Sequence, residues 1–388
     1  MNTDRRVFTL SLAHMVTDIY LPVITTMLPL LILTYGYSYF LAGLLVTSYN
    51  ITSSLTQPLF GWASDRLGFQ IHIAVSLLIS GVFISLMGLT GNYPLLLFFA
   101  ALAAIGHSSF HPAALSLVSR IASNLNRGKI TSIFVVGGNL GYAIGPLLAG
   151  AAIAYAGLPG TILLIIPALV MAVILRWFVP PVKADGKEQA APRASVSGHA
   201  ARKTLLVLFS ASTLRAWAAF TAIAFLPLYL IGLGYTLFSA NLLISLMLLA
   251  GVASQIVGGI ISDRWGRKEF VITGLLLSIP VFILFLLTSG VLQIACLILF
   301  GLTLWSSFAI TVAMSHEIMP DQIGLTSGLM IGVAIGAGGI GVAVSGLVAD
   351  AFSLQAALMM LPVLIAAAAI LVALMQYPWR SARIHAGV

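Results

Sequence analysis

Twelve apolar stretches, each long enough to cross a bilayer as a helix, govern what this chain can fold into. They run over residues 8–34, 38–63, 71–91, 94–120, 128–156 and 160–179, and then over 203–233, 237–262, 269–289, 291–318, 322–350 and 354–376. About 20 apolar residues suffice to span the hydrocarbon core. In that medium each backbone N–H and C=O must be bonded within the segment, which makes each stretch a helix. Of the 388 residues 60% are hydrophobic and only 7% charged, against about 25% charged in soluble domains. A water-soluble fold is excluded, and the alternation of an outer-membrane barrel strand is absent. The sequence therefore predicts an all-α membrane protein with twelve transmembrane helices. Its first stretch is too long for a cleaved signal peptide and is expected to be retained.

Between the sixth and seventh stretches lies PPVKADGKEQAAPRASVSGHAARK (180–203), rich in Pro, Ala, Ser and charge and without an apolar face. Such a segment reads as a strap between two membrane domains, giving domains 1–179 and 203–388 and a linker 180–202. The formal net charge of +8 has a topological meaning. Arg5, Arg6, Arg66, Arg120, Arg127, Lys129, Arg176, the linker cations, Arg264, Arg267, Lys268, Arg380 and Arg383 all fall on one side. The opposite loops TYGYS, TGNYP, AGLPG and GLGYT contain no Lys or Arg. The positive-inside rule makes both termini cytoplasmic, and no nucleic-acid partner is expected. The single cysteine, Cys296, rules out an intrachain disulfide.

The two halves repeat. QPLFGWASDRLG (57–68) aligns with QIVGGIISDRWG (255–266) at an offset of 198, with Gln, Gly, Ser, Asp, Arg and Gly in common. Thr131, Ser132, Gly137 and Gly141 align with Thr326, Ser327, Gly332 and Gly336 at an offset of 195. Two similar six-helix bundles follow, and parallel repeats of this kind mark transporters that bind substrate between the halves near mid-membrane. In the repeated element, Gly61 and Gly259 are expected to let helices approach closely. Asp65, Arg66 and Gly68, with Asp263, Arg264 and Gly266, are expected to cap and pair helix ends at the cytoplasmic face.

These elements resemble the loop signature of the major facilitator superfamily. The first copy has Phe69-Gln70 where the family often has basic residues; the second, DRWGRK, is complete. GGNLGYAIGPLLAG (137–150) places glycine at every fourth residue beside Pro146, a close-packing face in its own right. Its Gly141, Gly145 and Pro146 also resemble the helix-5 motif of proton-coupled exporters, which implies a part in bending and gating.

The ionisable residues inside the spans are few. In LAHMVTDIYL (12–21), His14 and Asp18 stand four residues apart and share a helix face. Asp18 lies about 18 Å along from Arg6 at the helical rise, near the bilayer midplane. Ionisable groups at that depth are costly and mark function by default. IGHSSFHPAA (105–114) puts His107 and His111 one turn apart on the fourth helix. Arg215 lies about 18 Å past Lys203 on the seventh, and SHEIMPD (315–321) carries Glu317 near the cytoplasmic end of the tenth. Each also has a structural reading. Asp18 can pair internally with His14 or Arg215, His111 can bond a carbonyl freed by Pro112, and His107 sits on a small, packed face. Arg215 needs an anion, since it stays protonated, and Glu317 is close enough to the interface to be solvated.

Helices 1, 4, 7 and 10 are the positions that line the central cavity in the superfamily. SLAHMVTDIYLP, SSFHPAALS, VVGGNLGYAIGP and HEIMPDQIGLTSG together look like its fosmidomycin-resistance branch, and the likeness spans essentially the whole chain. The resemblance implies a bacterial inner-membrane antiporter exporting small, often anionic or amphiphilic compounds against protons, and a monomer is expected. The His14…Asp18 pair, the Phe110-His111-Pro112 step, Asn139 and Glu317 match that branch's pattern, and Arg215 stands where it has a basic residue. Proton coupling is expected at Asp18, His14, His111 and Glu317, and substrate contacts at Arg215, His107, His111, Asn139 and Tyr20. No nucleophile constellation, phosphate loop or nucleotide motif points to an enzyme, and no cofactor is expected. The alternative is a transporter of metals or metal chelates built on the intramembrane His/Asp cluster. HSSFH lacks the Glu of a zinc-protease helix, so no resident metal is expected.

Overall fold

A proline sets where the first membrane helix breaks. The computed structural model describes residues 3–67, 69, 71–121, 127–178 and 198–377, and divides the first stretch into α1 (Thr3–Asp18) and α2 (Leu21–Tyr35). Pro22 has no N–H for the carbonyl of Asp18, four residues back, and its ring crowds that carbonyl. The Ile19 N–H still bonds to Met15, and the next turn begins with the Val23 N–H on Tyr20. The unbroken helix expected over 8–34 is thus interrupted beside Asp18, the kind of break at which membrane transporters place ion and substrate sites.

Among the described residues every regular element is helical. Ten helical stretches are long and apolar enough to cross a membrane. Of the other two expected spans, 38–63 forms α3 (Tyr39–Leu67), whose middle carries Asn50, Thr52, Ser53, Ser54, Thr56 and Gln57. The stretch 71–91 forms the shorter apolar α4 (Ile73–Met87). The chain continues with α5 (Tyr93–Ile121), α6 (Arg127–Ala156), a 3₁₀ turn (Leu158–Leu164) and α7 (Ile165–Phe178). Most of the expected linker, residues 180–197, lies outside the described residues.

Contacts group the chain into two compact units, one of residues 1–189 with 223–245, the other of 190–222 with 246–388. In the first unit α5 packs on α3 and α4, and α6 lies along α1. Glycine makes that last contact possible. A Cβ on Gly137, Gly141 or Gly145 would stand 2.3, 2.0 or 2.6 Å from the carbonyl oxygens of Ser11, Met15 and Ile19. Both series advance by four residues, so the two backbones meet along more than two turns. The helix-5 glycines expected to gate are, in this structure, the seam that holds α6 on α1.

The second unit contains most of α8 (His199–Gly232) and α9 (Leu237–Trp265), then α10 (Arg267–Leu287), α11 (Gly290–Trp305) and α12 (Ser307–Ile318). It ends with α13 (Ile323–Ser327), α14 (Ala334–Ala351) and α15 (Leu354–Leu374). Between α13 and α14 the chain takes a π turn, Gly328–Val333, closed by the Ala334 N–H on the Leu329 carbonyl five residues back. The single helix expected over 322–350 is therefore locally widened, a feature that often marks functional places in helices.

Candidate functional site

The break after Asp18 leaves its side chain among three imidazoles of the same unit. Asp18 Oδ2 lies 3.2 Å from His14 Nε2, and Oδ1 lies 3.4 Å from His111 Nε2 and 3.8 Å from His107 Nδ1. Two sequence pairs one turn apart, His14/Asp18 on α1 and His107/His111 on α5, have become one cluster. His111 keeps 22% of its side chain exposed, the largest share of the four, so it is the member most open to a ligand or solvent.

Backbone carbonyls fix the tautomers of two of these rings. A carbonyl can only accept, so the proton on His14 Nδ1 is donated to Phe134 O at 2.8 Å, and that on His111 Nδ1 to His107 O at 2.9 Å. A neutral imidazole has one N–H. Both Nε2 atoms are then lone pairs, yet they face each other at 3.2 Å beside a carboxylate. Such a meeting of acceptors is held together only when a cation sits among them. One proton on either Nε2 suffices: it closes an N–H···N bond and balances Asp18. His111 thus bonds a backbone carbonyl through Nδ1 and turns Nε2 toward His14 and Asp18. The carbonyl is that of His107, not that of Ser108, whose helical partner Pro112 removes.

Sequence reasoning overlooked two groups that complete the cluster. Phe134 supplies the carbonyl for His14 and stacks its ring on the imidazole, with centroids 4.2 Å apart. Gly138 faces the centre itself: a Cβ there would stand 2.4 Å from His14 Nε2 and 2.6 Å from Asp18 Oδ2. The Gly-Gly-Asn run was the available signal, since its second glycine is off the every-fourth-residue face. Asn139, the next residue, is half-buried on α6.

Arg215 lies in the second unit. It is buried, its guanidinium carbon stands 5.1 Å from the centre of the Phe308 ring, and its Nε has no hydrogen-bond partner. Ser212 Oγ and Thr213 Oγ1, on the same turn, are likewise buried without partners. The guanidinium thus rests on an aromatic face with hydrogen-bonding capacity unused at Nε.

Three expectations change. Glu317, grouped by sequence with the proton-coupling residues, accepts from Arg267 Nε at 2.8 Å and from the Tyr377 hydroxyl. Arg267 also reaches Asp263 at 3.3 Å. These contacts make Glu317 a fastening of the turn between α9 and α10, where Gly266 has a φ of 103° that favours glycine. Tyr20 is fully buried and donates its hydroxyl to Leu164 O, which removes it from substrate. Finally, a Cβ on Gly61 or Gly259 would meet nothing within 4 Å, so neither glycine makes the expected close helix contact here. Arg66 and Arg264 are exposed, and Pro146 is buried within α6. The side chain of Asp65 and residue 68 lie outside the described part.

Known proteins give this site a setting. The family model described as Major Facilitator Superfamily matches residues 8–331 and 208–384. The fosmidomycin resistance protein of Escherichia coli (strain K12) is 30% identical over 358 residues, 89% of this chain and 86% of that protein. The uncharacterized MFS-type transporter YfnC of Bacillus subtilis (strain 168) is 28% identical, over 92% of this chain and 90% of its own. Among solved structures, an inward-facing, unoccupied bacterial homologue of the human lysosomal transporter Spinster matches with a TM-score of 0.77 at 18% identity. It covers 96% of this chain and 95% of that one. The chain is a multi-pass membrane protein, and it belongs to the major facilitator superfamily.

Proposed function

We propose that this protein is a proton-coupled antiporter of the bacterial inner membrane, exporting small anionic or amphiphilic compounds by alternating access. The observation that carries the reading is the pair of carbonyl-locked imidazoles, whose Nε2 atoms converge with Asp18 on a place that demands a proton. Asp18, His14 and His111, with His107 beside them, are the coupling group. Arg215 is the anchor for an anionic substrate, with His107, His111 and Asn139 as further contacts.

Coupling then follows from electrostatics. Desolvation favours the protonated form of a carboxylate and a neighbouring cation favours the ionised form. A movement that changes the cations around Asp18 therefore loads or releases a proton. We assign that movement to rocking of bundle 1–179 against bundle 203–388, with 180–202 as the strap. The name of the Escherichia coli relative supports a compound of the antibiotic type as cargo.

Purified protein in proteoliposomes under an imposed pH gradient tests this, with cargo chosen from a growth-inhibitor panel run with and without a protonophore. The wild type is expected to move cargo against the proton gradient. Asp18→Asn is expected to lose that transport by about tenfold or more. Unchanged gradient-driven transport in Asp18→Asn would refute the assignment.

A further inference from the structure

The beginning of α1 and the end of α7 leave a cleft of about 420 Å³ between them. Arg5, Phe8 and Thr9 line it from α1 and Phe178 lines it from α7. Pockets for small ligands hold about 300–1,000 Å³. Residues 5, 8 and 9 are spaced i, i+3 and i+4, so one face of α1 forms the wall. The cleft lies at a membrane boundary: Arg5 opens the apolar helical stretch 5–35 and Phe178 closes the stretch 158–178.

Its walls offer two kinds of chemistry. Arg5 is exposed, and among the described residues no carboxylate pairs with it. Thr9 is buried and donates its hydroxyl proton to the Arg5 carbonyl at 2.8 Å, which leaves the guanidinium as the donor turned outward. Phe8 is 68% exposed and Phe178 43%, and bare rings are unfavourable in water. A small hydrated anion would gain one guanidinium and meet two phenyl rings. An amphiphile with an anionic head suits both walls: a phosphate takes the planar fork of Arg5, and apolar chain covers the rings. The order along α1 agrees. Arg5 is nearer the helix end and Phe8 is one turn deeper, as head group and chain are in a lipid leaflet.

The surroundings carry the same sign. Arg6 follows Arg5, and Arg176, exposed in the last turn of α7, stands next to the exposed Trp177. This is the side on which the sequence collects its Lys and Arg. Aromatic residues gather where helices meet the head-group layer, and basic pockets between transmembrane helices take anionic head groups.

We infer that this cleft holds one anionic phospholipid, its phosphate on Arg5 and its chains on Phe8 and Phe178, and that the lipid ties α1 to α7. The binding is non-covalent and does not depend on the transport function proposed above.

Delipidated protein in detergent tests this by thermal unfolding and native mass spectrometry, with phosphatidylglycerol, phosphatidylcholine and inorganic phosphate as probes. Phosphatidylglycerol is expected to stay bound at one per chain and to raise the wild-type midpoint, as a ligand of the folded state does. Arg5→Gln and Phe8→Ala are each expected to weaken that binding about tenfold. Both side chains are exposed, so the lipid-free midpoints are expected to stay near wild type. Arg202→Gln removes an exposed arginine of the second unit and is expected to bind as the wild type does. An equal rise with phosphatidylcholine would overturn the inference by showing that charge is not read. An equal rise with inorganic phosphate would overturn it in favour of a free anion. Undiminished phosphatidylglycerol binding in Arg5→Gln or Phe8→Ala, or an equal loss in Arg202→Gln, would overturn it by removing the lipid from the cleft. Should one cleft variant not fold, the other decides by the same binding curve.

Discussion

His14 and His111 meet through their Nε2 atoms at 3.2 Å while each gives its Nδ1 proton to a backbone carbonyl. Residues 97 positions apart are thereby brought together with one ring nitrogen each committed to the backbone.

A cation other than a proton would leave a signature. His14, Asp18 and His111 bring three ligand-type atoms within 4.8 Å of one another, which is the geometric basis of the metal alternative. Protein purified without chelator is expected to contain no stoichiometric transition metal by elemental analysis, and EDTA is expected to leave transport unchanged. One tightly held ion per chain would transfer the cluster to the metal reading.

Gly138→Ala is expected to disable transport. Its new methyl group would overlap both His14 and Asp18. Overpacking of this kind costs about 1–3 kcal/mol, read as a lower unfolding midpoint in detergent. Gly61→Ala is the control, because nothing lies within 4 Å of the added carbon. Equal midpoints and equal transport for the two variants would remove Gly138 from the site.

Arg215→Gln is expected to raise the KM for an anionic cargo by about tenfold, the worth of a charge-assisted hydrogen bond. Arg215→Lys is expected to recover little of this, since an ammonium has neither the planar fork nor the stacking on Phe308. Initial rates against cargo concentration in proteoliposomes give both values. Wild-type KM in Arg215→Gln would leave the anion anchor without support.

Glu317→Gln separates fastening from coupling. Its ion pair with Arg267 is partly exposed, so the loss is expected to cost about 0–1 kcal/mol of stability. The number of protons moved per cargo molecule is expected to stay at the wild-type value, measured by parallel pH-dye and cargo fluxes. A changed ratio would return Glu317 to the coupling group.

Much of the fold was legible because it rests on local composition. Apolar length marked the spans, and the twin Ser-Asp-Arg-x-Gly elements marked the repeat. Spacing alone paired His14 with Asp18 and His107 with His111. Other features were not local. The glycines 137, 141 and 145 announced a packing face, but only the coordinates show Ser11, Met15 and Ile19 as its partner. Tyr20 looked available for substrate because an aromatic near a charged residue reads the same whether it faces a cavity or Leu164. Glu317 was grouped with the histidines by helix position, whereas Arg267 and Tyr377 claim it.

By itself the amino-acid order determined the medium, the helical content, the repeat and the few charges admitted to the interior. Those follow from transfer free energies and helical periodicity, both of which act between near neighbours. The tertiary structure alone decided which lone pairs meet, through a proline that breaks α1 at the acid and a glycine seam that seats α6 against it. Contacts between groups about a hundred residues apart depend on how whole helices pack, and no short-range pattern encodes that.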